Sequence, residues 1–231
     1  MMKRTYPLTL FDTLKGIFAG LMVLLTVNGL LSGCAAPARS GPSSKVEALP
    51  AMDQVTMMPL GDGGDGFILS EKVKLTAGLR RDFEEAVALI EKKDYEKAIL
   101  LLDKVVEAGP GVTAPYVNIA IAYRKTGKPE AAEKHLKTAL GLFPGHPVAS
   151  NEYGLLLRKS GRFSEAKNVY EQALEQFPEF LPARRNLGIL CDLYLNDPQC
   201  ALAQFEQYNS IQPGDEQIEL WISELRLRSE K

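Results

Sequence analysis

The 231-residue chain has little with which to build a reaction centre: two histidines, His135 and His146, one tryptophan, and three cysteines, Cys34, Cys191 and Cys200. None of them stands in a Cys-x-x-Cys or His-Glu-x-x-His arrangement, so neither the common zinc patterns nor a histidine-based triad has its ligands or base. An excess of either charge is missing too. With 27 Lys and Arg against 29 Asp and Glu, the net charge is −2, far from the basic footprint that phosphate-backbone binding needs. These shortages set the first expectations: no metal, no cofactor, no nucleic acid partner, no small-molecule substrate and no enzymatic activity. What remains is 45% hydrophobic and 24% charged, an ordinary globular composition. The order of residues divides it into three unlike stretches.

The first stretch reads as an export signal. Lys3, Arg4 and Lys15 make a positive start, and Gly16 to Leu31 is apolar except for Thr26 and Asn28, a little short for a membrane span of about 20 residues. It ends in Leu31-Ser32-Gly33-Cys34, which resembles the bacterial lipobox. The resemblance implies cleavage before Cys34, a diacylglycerol on its thiol and an acylated new terminus, with residues 1–33 as the lipoprotein signal peptide. At roughly 0.8 kcal/mol per buried methylene, such an anchor holds firmly. Ala35, rather than aspartate, after the cysteine implies sorting to the outer membrane, facing the periplasm. An uncleaved signal anchor is the alternative, and it also places the rest of the chain outside the cytoplasm.

Residues 34–74 read as a flexible tether, rich in Pro, Gly and Ser without hydrophobic period. The Gly-Asp-Gly-Gly-Asp-Gly run at 61–66 lacks the alternating carboxylates and closing glutamate of a calcium loop, and is expected to be a solvated turn. The apolar patches Val55–Met58 and Phe67–Leu69 are expected to pack on the first helices or on a partner.

The third stretch repeats. Ala98, Ala132 and Ala166 are spaced by 34, as are Pro110, Pro144 and Pro178, and Ala86, Ala120, Gly154 and Gly188; such a period marks a solenoid. The register continues to Ala201 and Pro213 after a step of 35, which puts one inserted residue in the turn Leu195–Pro198. Breakers at Lys93-Asp94, Gly127, Gly161 and Asn196-Asp197-Pro198 split each unit into helix, turn and helix. The small residues are expected to face each other across the hairpin, as Ala120 with Ala132 or Gly154 with Ala166, letting the helices approach to about 8 Å. Tyr116, Ile119, Tyr123, Leu136, Leu140, Tyr153, Leu157, Tyr170 and Leu174 would fill the space between.

This pattern resembles the tetratricopeptide repeat: a small residue at the eighth position, alanine at the twentieth and twenty-seventh and proline at the thirty-second, as in Ala120, Ala132, Ala139 and Pro144. The fold class implied is all-α, a helix-turn-helix solenoid over 75–231 with units at about 79–112, 113–146, 147–180 and 181–215. Residues 216–229 then form a capping helix. Val105 departs from the pattern in unit one, and the insertion and Tyr208 depart from it in unit four.

Cys191 and Cys200 lie on either side of the inserted turn, where antiparallel helices can bring them within disulfide range; two buried thiols are the alternative. In the family, partners lie in the concave groove of the first helices. The resemblance carries that role onto Phe83, Val87 and Ile90; Val117, Ile121, Arg124 and Lys125; Val148, Asn151, Leu155, Arg158 and Lys159; and Arg185 and Ile189. The implied groove is an aliphatic floor beside a cationic row of Arg124, Lys125, Arg158, Lys159 and Arg185, suited to a segment carrying apolar anchors and carboxylates. Solvated ends of amphipathic helices are the plainer reading of these cations. The carboxylate-clamp subset is not implied, because Phe83 and Val87 stand where it needs Lys and Asn. His135 and His146 are expected at the surface. Together these features imply a non-catalytic, lipid-anchored scaffold that binds other envelope proteins and assists a pilus, secretion or TonB-type machine, or alternatively an adaptor for peptidoglycan enzymes.

Overall fold

The structure is a computed structural model describing residues 2–7, 55–59, 66–71 and 75–229. The lipobox, Cys34 and most of the expected signal peptide and tether lie outside the described residues.

Four helical hairpins follow one local grammar: α1 Ala77–Glu91 with α2 Tyr95–Ala108, α3 Thr113–Lys125 with α4 Pro129–Leu142, α5 Pro147–Lys159 with α6 Phe163–Gln176, and α7 Leu181–Leu193 with α8 Pro198–Ile211. Every intra-hairpin turn contains one residue in the left-handed region, Lys93, Gly127, Gly161 or Asn196, with φ of 64°, 73°, 78° and 51°. Glycine adopts this conformation without a Cβ penalty, and Asn tolerates it better than most residues. Proline falls two residues beyond the end of α2, α4, α6 and α8, at 110, 144, 178 and 213, where it cannot continue a helix. In the inserted turn, the Asp197 carboxylate caps α8 by accepting from the Cys200 N–H at 3.0 Å. A disulfide joins Cys191 to Cys200 with a Cα separation of 5.9 Å.

The small residues also make room for a large neighbour on the second helix. A Cβ on Gly154 would lie 2.4 Å from the Tyr170 ring, and one on Gly188 2.4 Å from the Phe205 ring. In these two units the eighth position therefore makes room for the large residue on the second helix. The same sites in units one and two carry Ala86 with Leu102 and Ala120 with Leu136, all buried. Alanine goes with leucine and glycine with an aromatic ring, so the first two hairpins and the last two reach close packing by different divisions of volume.

The final helix, α9 Glu216–Ser229, follows Pro213-Gly214 as α5 follows Pro144-Gly145, and so takes the register of a fifth first helix. Asp215 starts it by accepting from the Gln217 and Ile218 N–H groups. Ile218, Ile222 and Leu225 are buried, and Trp221 packs on Phe205 with ring centroids 5.1 Å apart. At the register positions where α5 buries Ser150, Gly154 and Leu157, α9 exposes Glu219, Ser223 and Arg226. Among the described residues no second helix follows α9.

Three strands depart from the expected signal and tether. Strands β1 Met2–Pro7, β2 Val55–Pro59 and β3 Gly66–Glu71 form an antiparallel sheet in the order β1-β3-β2, with Met2 opposite Glu71 and Val55 opposite Glu71 on the two edges of β3. The two apolar patches thus pair with each other. Their β-branched and aromatic residues flank a Gly/Asp-rich connection, the composition of a hairpin, which a reading for repeats and linkers passes over.

Candidate functional site

The first helices α1, α3, α5 and α7 lie side by side, and the residues carried over from the repeat pattern divide by what covers them. Phe83, Ile90, Val117 and Val148 are buried in the core. Val117, expected in the groove, is fully buried in the core cluster and thus unavailable to a partner. Val87, Ile121, Leu155 and Ile189 are half-buried and form the aliphatic floor at the repeat spacing.

The expected cationic row is largely consumed by links from one first helix to the next. Arg124 Nε donates to Glu152 at 2.7 Å, with both side chains about one-tenth exposed (10% and 11%). Asn186 donates to Asn151 at 2.8 Å. The Arg185 guanidinium lies 5.4 Å from the Trp221 ring centroid, and Arg228 pairs with Asp192 at 2.5 Å. Arg158 lies over Tyr194 at 5.8 Å, with one terminal nitrogen buried. Lys125 and Lys159 reach solvent in the last turns of α3 and α5, where a cation also complements the helix C-terminus. The groove is therefore an aliphatic strip with two solvent-facing lysines on its turn side, and exposed Leu193 takes the next place in that row.

Both histidines differ from expectation. His146 is only 1% exposed; its Nδ1 accepts from the Ala149 N–H at 3.2 Å, capping α5, and its ring meets Phe143 edge-on. His135 is half-buried, stacked on Tyr123 at 5.6 Å, and burial lowers its pKa. A polar cluster between units two and three had no signal in the repeat pattern. Glu133 Oε1 accepts from Arg162 at 2.8 Å and from the Tyr153 hydroxyl at 3.1 Å, and it pairs with Lys137 at 2.7 Å. The Arg162 hydrogen bond, then that of Lys137, brings the Glu133 carboxyl down to about 2. Its members belong to different hairpins, so only the fold brings them together. Among the described residues no three His, Cys, Asp or Glu side chains are grouped to hold a metal ion, and no helix is long and apolar enough to cross a membrane.

The tetratricopeptide repeat family matches residues 111–179 and 154–215. The small glutamine-rich tetratricopeptide repeat-containing protein 2 of Mycosarcoma maydis is 31% identical over 86 residues, covering 37% of this chain. The chain spans only 24% of that relative's length. Among solved structures, PilF of Pseudomonas aeruginosa is similar with a TM-score of 0.60 at 20% identity, covering 66% of this chain and 69% of that one. MamA of Desulfovibrio magneticus RS-1 gives 0.58 at 17% identity, covering 68% and 88%. YrrB, described as a TPR protein with an unusual peptide-binding site, gives 0.52 at 22% identity, covering 63% and 74%. At these identities the likeness concerns the fold. The 34-residue register, the paired helices and the family matches over residues 111–215 give this chain an all-α architecture of stacked tetratricopeptide-type helical hairpins.

Proposed function

We propose that this protein is a lipid-anchored scaffold of the bacterial cell envelope, held at the outer membrane through Cys34, which presents its concave groove to a segment of an envelope protein and so helps to assemble or position a pilus, secretion or TonB-type machine. The observation that carries the binding part is the half-buried strip of Ile121, Leu155 and Ile189 beside solvent-facing Lys125 and Lys159. An apolar strip supplies area for anchors, and two like charges at a fixed interval select carboxylates and speed encounter. The anchoring part is supported by Leu31-Ser32-Gly33-Cys34 after an apolar run.

The test is affinity capture of the lipidated protein after crosslinking in cells. Recovery of pilus, secretion or TonB-type components is expected, and K125E/K159E should reduce it by about tenfold or more. Recovery of peptidoglycan enzymes instead would move the function to the adaptor reading, and capture unchanged by K125E/K159E would refute the groove. Cys34→Ser should abolish lipidation, read as the loss of the acyl mass; an unprocessed mass in the parent protein would refute cleavage.

A further inference from the structure

Two buried polar atoms of the third hairpin find no hydrogen-bond partner among the described residues: the Tyr170 hydroxyl and Nη1 of Arg158. Tyr170 is fully buried, at 0% exposure. A buried polar group left unpaired forfeits its hydration, so folded proteins pair nearly all of them with protein groups or ordered water. The two atoms are also neighbours. A Cβ on Gly154 would lie 2.4 Å from both Cε1 and Cζ of Tyr170, so the hydroxyl-bearing end of the ring sits on the backbone of α5 at residue 154. Arg158 stands one turn further along the same face of α5, about 6 Å on along the axis. The hydroxyl senses it: burial does most to raise the Tyr170 pKa, the Arg158 charge opposes that shift and the Glu152 charge adds to it.

The neighbouring units act as internal controls. In unit two the same two positions carry Arg124 and Leu136, and Arg124 Nε donates to Glu152 at 2.7 Å. In unit four they carry Asp192 and Phe205, and Asp192 pairs with Arg228 at 2.5 Å. Each of those charges has a protein partner, and neither unit has a hydroxyl beside it. By the spacing that joins Arg124 to Glu152, the partner of Arg158 is Asn186, which is uncharged and donates instead to Asn151 at 2.8 Å. Unit three alone therefore combines a cation that lacks a carboxylate with a hydroxyl that lacks a partner.

We propose that Tyr170 and Arg158 form an internal water-binding site, in which one water oxygen accepts from the Tyr170 hydroxyl and from Arg158 Nη1. Two donors also suit a small anion, but the Glu152 charge decides against one. A second negative charge in so dry a site would be repelled by it, whereas a water turns its own protons toward it. A buried water with about three partners is an ordinary component of a protein interior. The guanidinium lies over the Tyr194 ring at 5.8 Å, so the bound water and the ring together hold the Arg158 side chain in one position.

A high-resolution crystal structure of the full chain should show a water oxygen within about 3.2 Å of both Tyr170 Oη and Arg158 Nη1. Soaking the crystals in bromide should leave no anomalous peak at that place. Such a peak would identify an anion and overturn the proposal, as would a direct bond from either group to another protein atom. Urea unfolding supplies the energetic test, because the sign of one substitution depends on the water. Tyr170→Phe keeps the ring on Gly154, just as Phe205 sits on Gly188. With the water bound, the variant should have an unfolding constant about fivefold larger than the parent. An unpaired hydroxyl would instead be lost at no cost, so a variant as stable as the parent, or more stable, overturns the site. The water also couples the two residues: the effects of Arg158→Met and Tyr170→Phe should fall short of their product by about fivefold when combined. Independent effects would overturn the shared water, and unchanged helical circular dichroism in each variant separates these results from misfolding.

Discussion

The first two hairpins and the last two solve the same packing problem with different materials. In α1–α2 and α3–α4 the eighth position is alanine and the residue sixteen positions on is leucine, all four buried, and the connecting turns are short. In α5–α6 and α7–α8 a glycine admits the rings of Tyr170 and Phe205, and the last hairpin adds a longer turn and a disulfide. The unit that repeats is therefore a sum of volumes across the hairpin; the residue types that share it are free to vary. A small residue at the eighth position is necessary in this array, but how small it must be is decided sixteen or seventeen residues away.

The largest expected effect would sharpen this contrast at its most altered unit. Reducing the Cys191–Cys200 bond, or replacing both cysteines by alanine, should destabilise the protein by about 2.7 kcal/mol on the loop-entropy account. Hydrogen exchange should localise the loss to α7, α8 and α9; uniform loss over α1–α4 would mean that the hairpins are not separable. Next in size, Gly154→Ala should cost about 2 kcal/mol in urea unfolding, because the added methyl meets the Tyr170 ring. Tyr170→Leu in the same chain should restore most of it by recreating the Ala-Leu pair of unit two. If G154A and G154A/Y170L are equally unstable, the shared-volume account is wrong. Ala120→Gly, where Leu136 needs no extra room, should cost only about 1 kcal/mol, from helix propensity.

The smallest effect concerns the joint between the two halves. The Glu133 carboxyl titrates at about 2, below its ordinary value of 4.5, because Arg162 and Lys137 hold it ionised. Its contribution is present in full above about pH 4.5 and fades as pH falls toward 2, since the unfolded chain takes up the proton first. Acid titration of stability should therefore be shallower in Glu133→Gln than in the parent over that window. Identical slopes would show that the cluster does not couple units two and three.

The helices and their limits were legible in the sequence because the signals are local or strictly periodic: breakers, prolines and small residues recur on a fixed interval. The disulfide was legible because its partners flank a single turn. The groove was legible only in outline. Arg124 is spaced like a ligand-facing cation, yet Glu152, which neutralises it, lies 28 residues on, and nothing in the spacing of either residue reveals their meeting. Val117 fits the repeat pattern of a lining residue and is buried by a neighbour whose approach the pattern does not encode. His146 sits in a polar-looking Pro-Gly-His-Pro loop, but its capping bond and the Phe143 ring draw it inward. The β-ladder of residues 2–7, 55–59 and 66–71 is not legible in the sequence because its strands are short and the pairing of β1 with β3 is long-range, with no local or periodic signal.

The disulfide also behaves as a clock. Cys191 is fully buried, and thiol exchange requires a thiolate to reach a sulfur atom. A reductant in solution consequently waits for the α7–α8 hairpin to open before it can attack there, or must approach through half-buried Cys200. In the limit where opening is slow, the rate of reduction stops depending on the concentration of reductant and equals the rate at which that hairpin parts. Where attack at Cys200 is slower than that opening, the bond reports, in time rather than in energy, how often the last repeat comes undone.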